Sequence, residues 1–188
     1  EELAFAESLN NGKPLKTSRE VDIPRSALNF KFFAELANQW ASENFSSSPS
    51  LFHYTLRQPL GTVACISPWN LPLYLFTWKI APALAAGNCV VAKPSEVTPL
   101  TAFHLSKIVE KIGLPKGVLN ILHGLGPDVG STLCSHPQIK AISFTGSTAT
   151  GRKLAEMSAP HFKKLSLEMG GKNATIIFAD ANIDQAVN

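Results

Sequence analysis

From Gly61 onward the chain alternates short apolar runs with longer amphipathic stretches, and this alternation constrains the fold more than any other feature. The runs fall at 62–66, 89–92, 118–122, 141–144 and 174–178. Their continuous apolar character is that of parallel strands buried on both faces. The segments between them carry helix signals. Thr98 is expected to cap a helix that Pro99 begins. Ala102, Leu105, Ile108, Val109 and Ile112 make one apolar stripe, and Gly113 can end that helix in a left-handed conformation. Further helices are expected after Gly126-Pro127 and after Ser147. Such alternation predicts an α/β fold, a parallel sheet flanked by helices and joined by right-handed crossovers.

The residues before Gly61 read differently. The first 45 or so are helical in pattern, with a strong break at Asn10-Asn11-Gly12-Lys13-Pro14. A longer amphipathic helix is expected over 26–44, where Phe30, Phe33, Ala34 and Ala37 recur at helical spacing. Ser46-Ser47-Ser48-Pro49-Ser50 reads as a loop, and 51–56 as a β-prone run closed by Pro59. A helix that starts at Glu1 without a cap points to a segment of something longer, and the acidic first residues show no targeting peptide.

Composition narrows the function classes. The 188 residues are 45% hydrophobic and 16% charged, enough for one domain with a core. A net charge of +3 without a Lys/Arg block gives no expectation of a nucleic acid or membrane partner. No apolar run is long enough to cross a bilayer. Cys65, Cys89 and Cys134 are odd in number and widely spaced, which suits neither a disulfide framework nor a metal site. A reducing, cytoplasmic compartment is therefore expected.

Five motifs are candidates to carry chemistry. Ser67-Pro68-Trp69-Asn70 follows a predicted strand, where ligands of open α/β sheets bind. An Asn amide there can donate to a developing oxyanion; the alternative is an Asx-turn between Pro68 and Pro72. Lys93-Pro94-Ser95-Glu96 ends the next strand. Its carboxylate can bind ribose hydroxyls and would repel a phosphate, favouring NAD over NADP; the alternative is a surface ion pair at a helix start. Gly124-Leu125-Gly126-Pro127-Asp128-Val129-Gly130 resembles a dinucleotide turn but has an extra residue before the last glycine; the alternative is an ordinary strand-to-helix turn with Pro127 starting the helix. Phe144-Thr145-Gly146-Ser147-Thr148-Ala149-Thr150-Gly151 opens a helix whose free N–H groups can meet a pyrophosphate, or it is a capped helix without a ligand. Finally, Glu168 precedes Gly170-Gly171-Lys172. It can act as a general base, or its carboxylate can satisfy the N–H groups of the glycine turn.

In order and spacing, Pro68-Trp69-Asn70, Lys93-Pro94-Ser95-Glu96, Phe144-Thr145-Gly146-Ser147 and Glu168-Met169-Gly170-Gly171-Lys172 resemble the motifs of the aldehyde dehydrogenase superfamily. The resemblance covers nearly the whole chain. It implies an incomplete Rossmann-like parallel sheet with a projecting β segment, NAD as cofactor, and a small aldehyde or semialdehyde as substrate. By the same resemblance, Asn70 stabilises the oxyanion of a thiohemiacetal and Glu168 activates the water that hydrolyses a thioester. Lys93 and Glu96 hold the adenosine ribose, and Ser147 and its turn contact the pyrophosphate. Pro68, Trp69, Ser95, Gly126, Gly130, Phe144, Gly146, Gly151 and Met169 complete the implied cofactor site. The chain divides into a helical segment (1–50), a projecting strand that mediates homo-oligomerisation (51–60) and an NAD-binding domain (61–188).

Two departures from the family pattern stand out. Met169 replaces the commoner leucine. The family's activated cysteine falls roughly 30 to 35 residues beyond the position of Glu168, which is past Asn188. The three cysteines present are not expected to replace it, because Cys65 and Cys89 lie in predicted strands and Cys134 near a helix end. The expectation is a truncated dehydrogenase, inactive alone, whose parent oxidises an aldehyde to a carboxylic acid. The alternative is a non-catalytic module that binds NAD or pairs with another subunit.

Overall fold

The computed structural model describes residues 1–187. Helix α1 (Glu2–Asn11) stops at Gly12, whose φ of 83° is the left-handed turn that glycine adopts without strain. Helix α2 (Leu15–Thr17) passes through a π-turn at Ser18–Asp22 into α3 (Ile23–Ala37). Strands β1 (Asn44–Ser48) and β2 (Leu51–Tyr54) form an antiparallel hairpin. Thereafter strand and helix alternate: β3 (Thr62–Ile66), α4 (Pro72–Ala85), β4 (Cys89–Lys93), α5 (Leu100–Lys111), β5 (Leu119–Ile121), α6 (Ser131–Ser135), β6 (Ile139–Gly146), α7 (Thr148–Ser158), β7 (Lys164–Met169) and α8 (Ile183–Val187).

The fold class is α/β. Strands β3 to β7 form one parallel sheet in the order β5-β4-β3-β6-β7. The chain winds outward from β3 through β4 to β5, then returns past β3 to β6 and β7. The direction therefore reverses between β3 and β6, and a crevice opens beyond their carboxyl ends.

Period-two alternation sends successive side chains to opposite faces and makes two cores. Val63 and Cys65 of β3, with Val90 and Ala92 of β4, pack against Leu73, Phe76 and Ile80 of α4 and Ala102 and Leu105 of α5. Leu3, Ile23 and Phe30 from the N-terminal helices cover the same core. On the opposite face, Ala64, Ile66, Ile142 and Phe144 pack against Leu133 and Cys134 of α6 and Leu154 of α7. Phe76 and Ile80 are fully buried, which contributes about 1.5–3 kcal/mol each.

Several expectations need correction. The run at 174–178 is not a strand: Ile176 and Phe178 are 76% and 73% exposed, and the fifth strand of the sheet is β7, at 164–169. Apolar β-branched residues favour a strand only where an edge is offered, and β7 takes the edge of β6 through Leu165 and Leu167. Residues 46–48 belong to β1 rather than to a loop, so the projecting element is a hairpin that begins at Asn44. The amphipathic helix is α3, displaced toward the N-terminus and ending at Ala37. Pro99, not Thr98, stands at the N-cap of α5, and Thr98 is buried. Gly113 does follow that helix with a φ of 73°.

Candidate functional site

The crevice at the reversal point is a cleft of about 1170 Å³. Its walls bring together Pro68, Trp69, Asn70, Lys93, Ser95, Glu96, Gly126, Gly130, Phe144, Gly146, Ser147, Glu168 and Met169. These residues come from the ends of β3, β4, β6 and β7 and from the turn before α6. Of the expected set, Gly151 alone stands behind the wall. It is buried in α7, where a Cβ would overlap Met169 Sδ and lie 3.6 Å from Phe144 Cε1. Its place is a packing one: the bare backbone lets α7 close onto β6 and β7.

Asn70 sits in the loop between β3 and α4, exposed toward the cleft. Its main-chain carbonyl is held by Lys13 Nζ at 3.3 Å, and that of Trp69 by Asn11 Nδ2 at 2.8 Å. Glu168 is the penultimate residue of β7 and is exposed at the cleft. The register pairs Thr145 with Glu168 and Ser143 with Ser166. Alternation then puts Glu168 on the α4 side of the sheet. There it also borders a smaller cavity of about 450 Å³, shared with Cys65, Ser143, Trp78 and Lys79.

Lys79 also lines the cleft, and sequence reasoning missed it. It lies within the apolar helix α4, buried, with Nζ 3.4 Å from Ser143 Oγ. Burial holds its ammonium below the usual lysine range, and Cys65 and Glu168 oppose that by favouring the charged form. The available signal was a lone charge in a largely apolar helix from Pro72 to Ala85.

Lys93 and Glu96 form an ion pair, with Nζ to Oε2 at 2.9 Å. Lys93 is buried and also donates to the Pro94 carbonyl at 3.0 Å, whereas Glu96 is exposed. The Glu96 carboxyl is held below its usual range by its own backbone N–H, by Lys93, and by the Gly126 N–H. The pair therefore ties the end of β4 to the glycine turn before α6. Ser95 Oγ accepts from Val97 N at 3.3 Å and shapes the same corner.

At the opposite wall, Ser147 caps α7: its Oγ accepts from Thr150 N at 3.2 Å. The first residues of α7 are exposed to the cleft beside that cap. Ser67 Oγ is buried in the cleft wall without a partner. An orphaned hydroxyl, an uncovered helix N-terminus and an oriented carboxylate–lysine pair fit the polar groups of a dinucleotide.

No cysteine faces the cleft. Cys65 is buried in β3, and burial pushes its thiol up to about 12. Cys134 is buried in α6 and is pushed up to about 11 for the same reason. Cys89 starts β4, at the end of the sheet away from the cleft, and is exposed. Among the described residues no group of His, Cys, Asp and Glu could hold a metal ion, and no helix is long and apolar enough to cross a membrane.

Sheet order and crevice define a doubly wound α/β protein with its candidate site at the reversal point. All 188 residues match the sequence profile of the aldehyde dehydrogenase family, and the chain belongs to that family. It is 56% identical to 2-aminomuconic semialdehyde dehydrogenase of Mus musculus and 55% identical to the Homo sapiens protein of that name. Each comparison covers 100% of this chain and 39% of the relative, so the chain spans well under half the length of the curated relatives it matches. The crystal structure of PnpE in complex with nicotinamide adenine dinucleotide superposes with a TM-score of 0.95 at 46% identity, covering 100% of this chain and 38% of that one.

Proposed function

We propose that this chain forms the NAD cleft, the oxyanion donor and the general base of an NAD-dependent semialdehyde dehydrogenase. The observation that carries the proposal is the convergence of Asn70, Glu168 and the Lys93–Glu96 pair on one cleft at the reversal point. The semialdehyde class rests on the names of the relatives and on the NAD complex of PnpE.

NAD, when bound, supplies the acceptor for the hydride that leaves the aldehyde carbon. The chain's own residues do the rest of what is assigned to it. Lys93 holds Glu96, whose carboxylate would accept from the ribose hydroxyls of NAD and would repel the extra phosphate of NADP, so NAD is preferred. The N-terminus of α7 would hold the pyrophosphate through its free N–H groups, beside the Ser147 cap on the Thr150 N–H. The Asn70 amide donates to the substrate oxygen as negative charge develops there. Glu168 takes a proton from water at the cleft mouth. Lys79 lies on the same side of the sheet and complements the charge of Glu168.

The nucleophile is not among these residues. Two of the three cysteines are buried as thiols, and the third lies at the wrong end of the sheet. The 188-residue chain alone therefore does not turn over. Phe45, Leu51, Phe52 and Tyr54 leave the projecting hairpin apolar and exposed, which supports a role in pairing subunits. The unpaired cysteines favour a reducing, cytoplasmic setting.

Calorimetric titration of the chain with NAD and NADP tests the cleft. Heat with NAD and less with NADP is expected, and silence with both refutes the assignment. Steady NADH production from the chain with a semialdehyde would overturn the statement about the nucleophile.

A further inference from the structure

The break at Asn10-Asn11-Gly12-Lys13-Pro14 has contacts that a mere turn does not need. Gly12 reverses the chain after α1 and presents the residues on either side of it to the site. Asn10 Oδ1 accepts from Leu100 N at 2.8 Å, at the start of α5. Asn11 Nδ2 donates to the Trp69 carbonyl at 2.8 Å, and Lys13 Nζ to the Asn70 carbonyl at 3.3 Å. Lys13 is itself held by Asp22 at 2.6 Å and lies 3.8 Å from Glu7 Oε1. Glu7 is fully buried and accepts from Leu73 N at 3.3 Å and from Thr101 Oγ1 at 2.8 Å. The N-terminal segment thus grips 69, 70 and 73, which are the oxyanion loop and the first turn of α4.

That loop has little else to hold it. Pro68 and Pro72 have no N–H to offer their neighbours' carbonyls. Among the described residues, the other donor to the Trp69 carbonyl is Thr98 Oγ1, at a long 3.4 Å. The Asn70 side chain has to face the cleft in one orientation if it is to act as a preorganised donor. A loop that rotates about its carbonyls would lose that orientation without losing its fold.

We infer that Asn11 and Lys13 are positioning residues for Asn70, fixing the Trp69 and Asn70 carbonyls so that the Asn70 amide points into the cleft. The inference rests on the proposed role of Asn70 as oxyanion donor. Asn11 is the residue to change, because removing Lys13 would strand the carboxylates of Glu7 and Asp22 in the interior and unfold the segment.

The test compares unsubstituted chain, N11A, N11D and N70A in a chimera in which this chain replaces the matching segment of the Mus musculus 2-aminomuconic semialdehyde dehydrogenase, with nitrogen-15 relaxation measured on the 188-residue protein. N11A should lower kcat about tenfold with little change in KM for NAD, short of the roughly hundredfold that a 1 Å misplacement costs. N11D sets a carboxylate against the Trp69 carbonyl and should lower kcat further. The amides of Trp69 and Asn70 should gain mobility in both variants while those of β3 and β4 keep theirs. If N70A keeps wild-type kcat, the oxyanion assignment itself falls. If N70A is impaired but N11A and N11D match wild type, the positioning role falls and the site stands. Loosening spread through the whole sheet would also overturn it.

Discussion

Thr145 of β6 and Glu168 of β7 are register partners, one step before the ladder ends at Gly146 and Met169. The pairing holds the proposed base on sheet backbone while its carboxylate stays at the cleft. A base carried by a strand keeps its distance from the cleft floor better than one carried by a glycine turn. Changing its chemistry should therefore leave the fold intact.

E168Q removes the proton acceptor and keeps the shape. In a chimera in which this chain replaces the matching segment of the Mus musculus 2-aminomuconic semialdehyde dehydrogenase, it should lower turnover by about 10²- to 10⁴-fold, the usual contribution of a general base. NAD affinity, measured by calorimetry on the 188-residue chain, should be unchanged. A variant that loses NAD binding together with turnover would place Glu168 in cofactor binding instead.

Two cleft glycines should respond with opposite signs. A Cβ at Gly146 would overlap the ring of Phe144, which is buried in one cluster with Ile66, Ile142 and Leu154 and could yield only by turning out of that core into the cleft. G146A should cost about 1–3 kcal/mol in urea unfolding, as overpacking does. Gly130 has a helical φ of −62°, and nothing lies within 4 Å of a Cβ there. G130A should instead gain about 0.4–1 kcal/mol, because alanine restricts the unfolded chain.

What the sequence made legible followed from local physics. Strand Thr62–Ile66 and the turns after β3, β4 and β6 were readable because an apolar run ending in Pro, Gly or Asn marks a buried strand and its exit. The two errors in the sheet had one cause. Local pattern cannot say which of two neighbouring β-prone runs, at 164–169 and 174–178, takes the free edge of β6. Asn11 and Lys13 were legible as a break but not as a clamp, because their partners lie 58 and 57 residues away. Lys79 was hidden by its helix, where periodicity reported the apolar neighbours and not the charge between them.

Cysteine reactivity gives a direct check on whether any of the three cysteines could serve as a nucleophile. At pH 8 a thiol near 11 is about 0.1% ionised and one near 12 less still, since each unit is a factor of ten. Alkylation of the native chain should modify Cys89 alone, and modification at all three should follow only after denaturation. Peptide mapping by mass spectrometry reads the outcome. Rapid native labelling of Cys65 would mean that the cavity beside Lys79 admits the reagent and that β3 is less closed than its burial indicates.

Acidity should reveal the buried carboxylate of the clamp. Burial pushes the Glu7 carboxyl up, against the Thr101 hydroxyl, the Leu73 N–H and Lys13, which favour its ionised form, while Asp22 opposes ionisation. The folded state therefore holds the Glu7 proton to higher pH than the unfolded chain does. Stability from this group is fully present below the unfolded value, near 4.5, and is lost as pH rises through the folded one. E7Q removes that linkage. The difference in melting temperature between wild type and E7Q should shift toward wild type as pH falls from 8 to about 4.5, the direction that proton linkage at this carboxyl requires. A difference that stays flat over the range would show that Glu7 titrates alike in the folded and unfolded chains.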